Sequence, residues 1–377
     1  MGNGRISTHS GHALFRRALA GVLIFVSFSA VVLARATENV ILVTLDGVRV
    51  EEVFGGMDVA LYKEIDEKAE SRAIFKRFYA ETERERREKL MPFFWRELMT
   101  NHGSIAGNRK LGSEAKTTNN HLFSYPGYSE IMTGEAHDDV IKSNDRIQNK
   151  YPSFLQFLKG KMNLGYNDVA SFASWNVFNE IVSSRAGEFE INAGYESYSS
   201  DDPAAIRLSR EQFETPTPWD SVRHDYYTFN LALSHLKRYG PKVIHIGLGE
   251  TDDWSHGGRY DLTLDALHRS DRYLAELWGF LESDKRYKGK TSLIVAVDHG
   301  RGTSAKTWSG HGSDIPEARN IWIAFVSPEM KQRGEWKNKK TIYQNQIAAT
   351  LCAFLGYDLK EQNPNAGKPV GVKGFGF

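Results

Sequence analysis

Six side chains of the kinds that hold metal ions stand just beyond short apolar runs in this sequence. Asp46 follows Val40–Leu45 (VILVTL). Asp252 follows Lys242–Leu248 (KVIHIGL) after Gly249-Glu250-Thr251, and Asp298-His299 follow Thr291–Val297 (TSLIVAV). His256 lies four residues beyond Asp252, and His311 sits in a Gly-rich loop (SGHGS) twelve residues beyond His299. Taken singly, each has an ordinary explanation: Asp-Gly after a strand is commonly a turn, and a lone histidine is commonly a satisfied polar group. Together, three carboxylates and three imidazoles make a donor set for two divalent ions of borderline character. The all-oxygen sites preferred by Mg²⁺ or Ca²⁺ do not contain three histidines, so zinc is expected at both positions.

A nucleophile lies in Phe123-Ser124-Tyr125-Pro126-Gly127-Tyr128-Ser129-Glu130-Ile131-Met132-Thr133-Gly134. Pro in the first turn and Gly just past the end mark a short helix. Ser124 then stands at the helix N-terminus, where unpaired N–H groups and the helix dipole favour an anion. From its position alone Ser124 reads first as a plain N-cap. It becomes a nucleophile only where a metal lowers the pKa of its hydroxyl.

Elements able to position these groups can be read from the hydrophobic pattern. The three apolar runs, with Ile321–Val326 (IWIAFV) and the weaker Val169–Ala173, read as strands covered on both faces, the signature of a mostly parallel sheet. Helical spacing over Tyr226–Tyr239, Leu262–Leu281 and Tyr343–Leu355 alternates with them, which predicts an α/β layered fold. In such sheets ligands bind outside the carboxyl ends of the strands, where the six candidates stand. Residues 63–100 read as a charged, solvated helical stretch, and about 185–225 and the tail after Leu359 as loops.

The 377 residues allow one large domain or two ordinary ones. No linker composition appears within 38–358, which favours a single elaborated domain over 37–377, with helical elaboration at about 60–115. Cys352 is the only cysteine, which excludes intramolecular disulfides, Cys-based metal sites and Cys-x-x-Cys redox chemistry. Residues 1–36 carry Arg5, Arg16, Arg17 and Arg35 and no acid, and Ala18–Ala34 is an uncharged, mostly apolar run before a small-residue A-x-A site. This is the pattern of a secretory signal peptide, with an uncleaved membrane anchor as the alternative. The Arg16-Arg17 pair fits both general and twin-arginine export. Without that segment the net charge falls from +1 to −3, so duplex nucleic acid is not an expected partner. A periplasmic or secreted protein acting on a small molecule is expected, with membrane contact only if the N-terminal segment stays attached.

In order and type, Asp46, Ser124 before Pro126, Asp252-x-x-x-His256, Asp298-His299-Gly300 and His311-Gly312 resemble the motifs of the alkaline phosphatase superfamily across roughly residues 39–327. The pattern is most similar to the type I phosphodiesterase and nucleotide pyrophosphatase branch, in particular its secreted bacterial members. The resemblance implies a three-layer alkaline-phosphatase-like sandwich, with a mostly parallel central sheet and helices on both faces. It also implies one metal held by Asp46, Ser124, Asp298 and His299, and another by Asp252, His256 and His311. The implied reaction is phosphoester hydrolysis through a phosphoserine intermediate.

Departures narrow the expectation. Gly247 stands where alkaline phosphatases proper carry a magnesium-ligating Glu, and Glu250 is at the wrong spacing. Asn144 matches the Asn that contacts a phosphate oxygen in nucleotide pyrophosphatases, with Lys142 competing by spacing. Sulfatases need a C/S-x-P-x-R motif, and Tyr128 replaces its Arg. Phosphoglycerate mutases of this fold are cytoplasmic in character, against the N-terminal signal. Glu250, Asp253 and the few nearby cations (Lys142, Arg259, Arg301) disfavour a dianionic monoester, and Trp175, Trp254 and Tyr125 are candidate walls for a base or aryl group. A phosphodiester or nucleotide-type substrate is therefore expected ahead of a phosphomonoester. A non-catalytic exported binding protein on the same fold is the alternative from another class.

Overall fold

The computed structural model describes residues 1–2, 36–372 and 374. The expected signal segment lies outside the described residues, apart from its two ends. Those from 36 onward form one compact unit. Its strands are β1 (Asn39–Leu45), β2 (Gly103–Ala106), β3 (Glu114–Lys116), β4 (Val169–Ala173), β5 (Glu190–Ala193), β6 (Val243–Leu248), β7 (Thr291–Ala296), β8 (Asn320–Ile321), β9 (Ile323–Val326), β10 (Gly334–Glu335) and β11 (Thr341–Tyr343). Eight form the main sheet in the order β10-β2-β9-β7-β1-β6-β4-β5, and β11-β3-β8 make a small second sheet.

The architecture is an α/β sandwich around a mostly parallel sheet. β7, β1, β6, β4 and β5 are parallel neighbours, and only β9 runs against its neighbours β7 and β2. Every residue of β1, β4, β6 and β7 is buried, so both faces of the sheet are covered by the flanking layers. Val40 pairs with Val243 and with Ser292, and Leu45 with Leu248. This register brings the carboxyl ends of β1, β6 and β7 to one edge, and the residues just beyond them form a single site.

Several expectations need correction. Ile321–Val326 is not one strand: the chain passes from the small sheet (β8) to the main sheet (β9) at Trp322, whose side chain is fully buried. The stretch 63–100 is not one solvated helix. It breaks into short helices at Val59–Ile65, Ala73–Phe78 and Glu83–Leu90 and a π-helix at Phe94–His102, which bury Phe75, Phe78, Leu90, Phe94 and Trp95. The region 60–115 also supplies β2 and β3. Residues 185–225 are not all loop: β5 extends the main sheet, and the helix Pro203–Glu211 starts at Asp202, whose side chain accepts the Ala204 N–H.

Candidate metal centre

Each candidate ligand is carried by the element that the register brings to the sheet edge. Asp46 follows β1 directly, and its own N–H donates to the Leu248 carbonyl at the end of β6. Asp252 and His256 lie one turn apart on the helix Glu250–His256, so both project from the same face. The Thr251 hydroxyl of that helix donates to the Asp46 carbonyl (2.6 Å), tying it to β1. Asp298 and His299 follow β7 and are fully buried. Ser124 opens the helix Ser124–Thr133, which ends at Gly134 (φ 79°). Gly127 lets that helix lie against the strand end, since an added Cβ there would stand 2.5 Å from the Asp298 carbonyl oxygen.

Two groups of potential ligands result. Asp46, Asp298 and His299 form one; Asp252, His299 and His311 form the other. His256 adjoins the second, with its Nε2 3.1 Å from Asp252 Oδ2 and 2.9 Å from His311 Nε2. The structure thus brings Asp46, Asp298, His299, Asp252 and His311 together with His256 and Ser124 beside them, and His299 belongs to both groups rather than to the first alone. Its Nε2 lies 3.3 Å from Asp298 Oδ2, 3.5 Å from Asp46 Oδ1 and 3.9 Å from Asp252 Oδ1.

The hydrogen bonds leave the right atoms open. His299 Nδ1–H donates to the Gly300 carbonyl (2.9 Å), and His311 Nδ1–H to that of Leu122 (3.3 Å). Both rings therefore aim an Nε2 lone pair into the site. Burial pushes the pKa of His256, His299 and His311 down, and neutral imidazole is the state that ligates. Asp46 Oδ2 accepts the Tyr128 hydroxyl (3.0 Å), and Asp298 Oδ1 accepts the Gly47 N–H (3.1 Å). The remaining oxygens, Asp46 Oδ1 and Asp298 Oδ2, are buried without a hydrogen-bond partner. Burial raises both carboxyl pKa values, and for Asp46 the neighbouring Asp298 and Asp253 charges raise it further. Two adjacent carboxylates with orphaned oxygens beside neutral imidazoles are a donor set that a divalent cation would satisfy.

Ser124 is the first helical residue, and its N-cap position is Phe123, so the plain N-cap alternative does not hold. The Ser124 hydroxyl is buried and donates to His299 Nε2 (3.3 Å). The open donors expected at this helix end are few. Pro126 has no N–H, the Gly127 N–H bonds to the Phe123 carbonyl, and the Tyr125 N–H donates to Asn144 Oδ1 (2.9 Å). Asn144 therefore sits at the Ser124 end of the helix with its side-chain carbonyl engaged, and Lys142 is exposed nearby in sequence.

The candidate aromatic walls make contacts of their own outside the ligand cluster. Tyr125 is buried, with its hydroxyl bound to the Ile147 carbonyl, and Trp175 packs edge-on against Phe178. Trp254 shares a helix face with Glu250, away from Asp252, and lines a separate cavity of about 480 Å³. Tyr128 and Asp225, which the motif reading did not place in the site, belong beside it, and so does Arg301, expected there only as a nearby cation. Tyr128 holds Asp46, Asp225 accepts the N–H groups of Gly249 (2.7 Å) and Glu250 that open the Asp252 helix, and Arg301 contacts Asp252. The position of Arg301 next to Asp298-His299-Gly300 was its only signal in the sequence.

No family model and no curated protein matches the chain. Solved structures do. The lipoteichoic acid synthase LtaP from Listeria monocytogenes superposes with a TM-score of 0.55 at 12% identity, over 87% of this chain and 74% of that one. A putative sulfatase from Bacteroides thetaiotaomicron gives 0.53 at 10% identity, over 88% and 76%. A protein of the alkaline phosphatase superfamily from Vibrio parahaemolyticus gives 0.50 at 12% identity, over 85% and 67%. The chain has the fold of the alkaline phosphatase superfamily.

Proposed function

We propose that this protein is a metal-dependent phosphoester hydrolase with two divalent ions, zinc by the chemistry of its donors, and with Ser124 as nucleophile. The observation that carries this reading is the Ser124 hydroxyl, buried 3.3 Å from His299 Nε2 beside the orphaned oxygens of Asp46 and Asp298. Asp46, Ser124, Asp298 and His299 would hold one ion, and Asp252, His256 and His311 the other. When bound, the ions lower the pKa of the serine hydroxyl and offset charge on the oxygens of the reacting phosphoryl group. Ser124 Oγ attacks phosphorus in line, the Oγ–P bond forms, and the bond to the departing alcohol oxygen breaks with its electron pair. Water then cleaves the Oγ–P bond and restores the serine. Asn144, whose Oδ1 accepts the Tyr125 N–H, would offer its NH₂ group to an equatorial phosphate oxygen.

Phosphate is favoured over sulfate because Tyr128 occupies the place of the sulfatase arginine and spends its hydroxyl on Asp46. The lone Cys352 is buried in the helix Ile347–Phe354, remote in sequence from the Ser124 motif. Diesters are favoured over monoesters on charge. Arg301 is committed to protein acceptors and Arg259 to Asp261, which leaves little cation to meet a second phosphate charge. Among the described residues no helix is long and apolar enough to cross a membrane. The N-terminal signal pattern supports an exported protein acting on a small phosphoester.

The test compares Ser124→Ala with the parent, both zinc-loaded, on bis-p-nitrophenyl phosphate and p-nitrophenyl phosphate. Loss of turnover in the variant is expected, with kcat/KM in the parent higher for the diester. Undiminished turnover by the variant removes the covalent mechanism, and a diester-to-monoester ratio well below one reassigns the protein as a phosphomonoesterase.

A further inference from the structure

Arg301 is a fully formed side-chain hub that the proposed chemistry does not use. Its side chain is 1% exposed. Nε donates to the Gly47 carbonyl (3.1 Å), in the turn that follows Asp46. Nη2 donates to the Asp252 carbonyl (3.2 Å) and closely to Asp252 Oδ1, and Nη1 donates to the Ser309 carbonyl, two residues before His311. Arg301 itself stands two residues after His299. One guanidinium therefore joins four of the five ligand-bearing segments, all but the Ser124 helix.

The surroundings are built to admit it. Gly47 has φ +63°, and a Cβ added there would stand 2.6 Å from Asp252 Oδ1 and 2.9 Å from Arg301 Nε. Any other residue would push the guanidinium off the turn. A second buried arginine holds the adjoining backbone: Arg49 donates to the Gly302 carbonyl (3.2 Å) while paired with Glu52. A planar fork with five donors can meet acceptors in three directions, and a lysine ammonium at the end of a flexible stem cannot reproduce that pattern.

We propose that Arg301 is a positioning residue of the metal centre, which sets the spacing of Asp46, Asp252 and His311 and fixes the orientation of the Asp252 carboxylate toward the site. The guanidinium holds Oδ1, which lies 3.8 Å from His311 Nε2 and 3.9 Å from His299 Nε2, while Oδ2 lies 3.1 Å from His256 Nε2, so the arginine fixes which oxygen of Asp252 is turned to which imidazole. The inference rests on the two-metal reading above. It assigns to the arginine an effect on ion binding that a mere fold staple would not have.

The experiment strips the parent, Arg301→Lys and Arg301→Ala with chelator, confirms folding by circular dichroism, and titrates each with Zn²⁺. The visible spectra of the Co²⁺-loaded forms are recorded alongside. Two equivalents are expected in the parent. In both variants the second equivalent should weaken by about tenfold or more, the usual scale for loss of a residue that orients a ligand, with an altered Co²⁺ spectrum. Methylguanidine should restore affinity to Arg301→Ala, and methylamine should not. Parent-like affinity and spectrum in both variants overturn the proposal, and if Arg301→Ala does not fold, Arg301→Lys decides by the same criteria. A parent that binds no divalent ion overturns the two-metal reading itself, an outcome distinct from failure of the arginine assignment.

Discussion

The seven-residue helix Glu250–His256 separates two buried clusters of ionisable groups that differ in how completely they are satisfied. On one face Glu250 accepts from His224 Nδ1 (3.0 Å), the Asp225 N–H (3.0 Å), Trp254 Nε1 (3.4 Å) and Arg269. Burial alone would raise the Glu250 pKa, but the His224 hydrogen bond and the Arg269 charge hold it below the usual carboxylate range. On the other face Asp252 and His256 join Asp46, Asp298, His299 and His311, where two carboxylate oxygens have no partner and the carboxyls of Asp46 and Asp298 are pushed upward. The first cluster carries its own counter-charges and holds the fold. The second is short of positive charge at its centre, which is what distinguishes a ligand site from a structural network at similar burial.

Breaking the unsatisfied cluster should have the largest effect. Asp298→Asn should lower hydrolysis by about a thousandfold or more, since several kcal/mol of transition-state stabilisation go with a lost ion. The chelator-treated variant should melt no lower than the chelator-treated parent, because one of two mutually repelling carboxylates is gone. Activity assays and melting curves on the same samples check this, and a large drop in the metal-free melting temperature would make Asp298 structural. Glu250→Gln should behave in the opposite way. It leaves the Arg269 and His224 side chains short of a partner and should cost about 3 kcal/mol of stability in denaturant titrations, while two equivalents of metal still bind.

The smallest effect concerns pH. Asp46 and Asp298 have raised pKa values in the metal-free fold, and burial pushes Asp253 up to about 7. Carboxyls raised in this way lend stability that is fully present below their unfolded pKa and is lost as pH rises through the folded-state values. An ion in place of the protons cancels that loss. The difference in melting temperature between metal-loaded and chelator-treated protein should therefore widen between pH 5 and pH 8. A constant difference would mean that these carboxyls do not face the ion.

The contrast between the two clusters also marks what could be read from the sequence. Asp46, Asp252, Asp298 and His299 were legible because continuous apolar runs identify central parallel strands and ligands gather at their ends. Ser124 was legible through Pro126 and Gly134. The roles of Asp225, Tyr128 and Arg301 are not legible, although Arg301 reads as a nearby cation, since each acts through partners distant in sequence, such as Tyr128 on Asp46, and no periodicity records such pairs. β5 escaped notice as a four-residue edge strand of mixed polarity (EINA), although Asp202-Pro203 is a legible helix start. The split of Ile321–Val326 was hidden because Trp322 is as apolar as the strand residues on either side of it. Tyr125 and Trp254 show the converse: closeness in sequence to the site suggests walls for it, whereas Tyr125 bonds to the Ile147 carbonyl and Trp254 lines another cavity.

The place of β1 in the sheet bears on how the chain reaches this structure. β1 is flanked by β6 and β7, which follow it by some two hundred residues or more of sequence. Parallel pairing across such separations is slow, because the loop-closure entropy is lost before the contact forms. Until Thr291–Ala296 has been made, β1 lacks one of its two neighbours, and its apolar backbone is open to pairing with other chains. A chain stopped short of that strand would carry Asp46, Ser124 and Asp252 and still have no site. Assembly of the centre is therefore among the last events of folding, and an ion can lock the finished fold but cannot seed it.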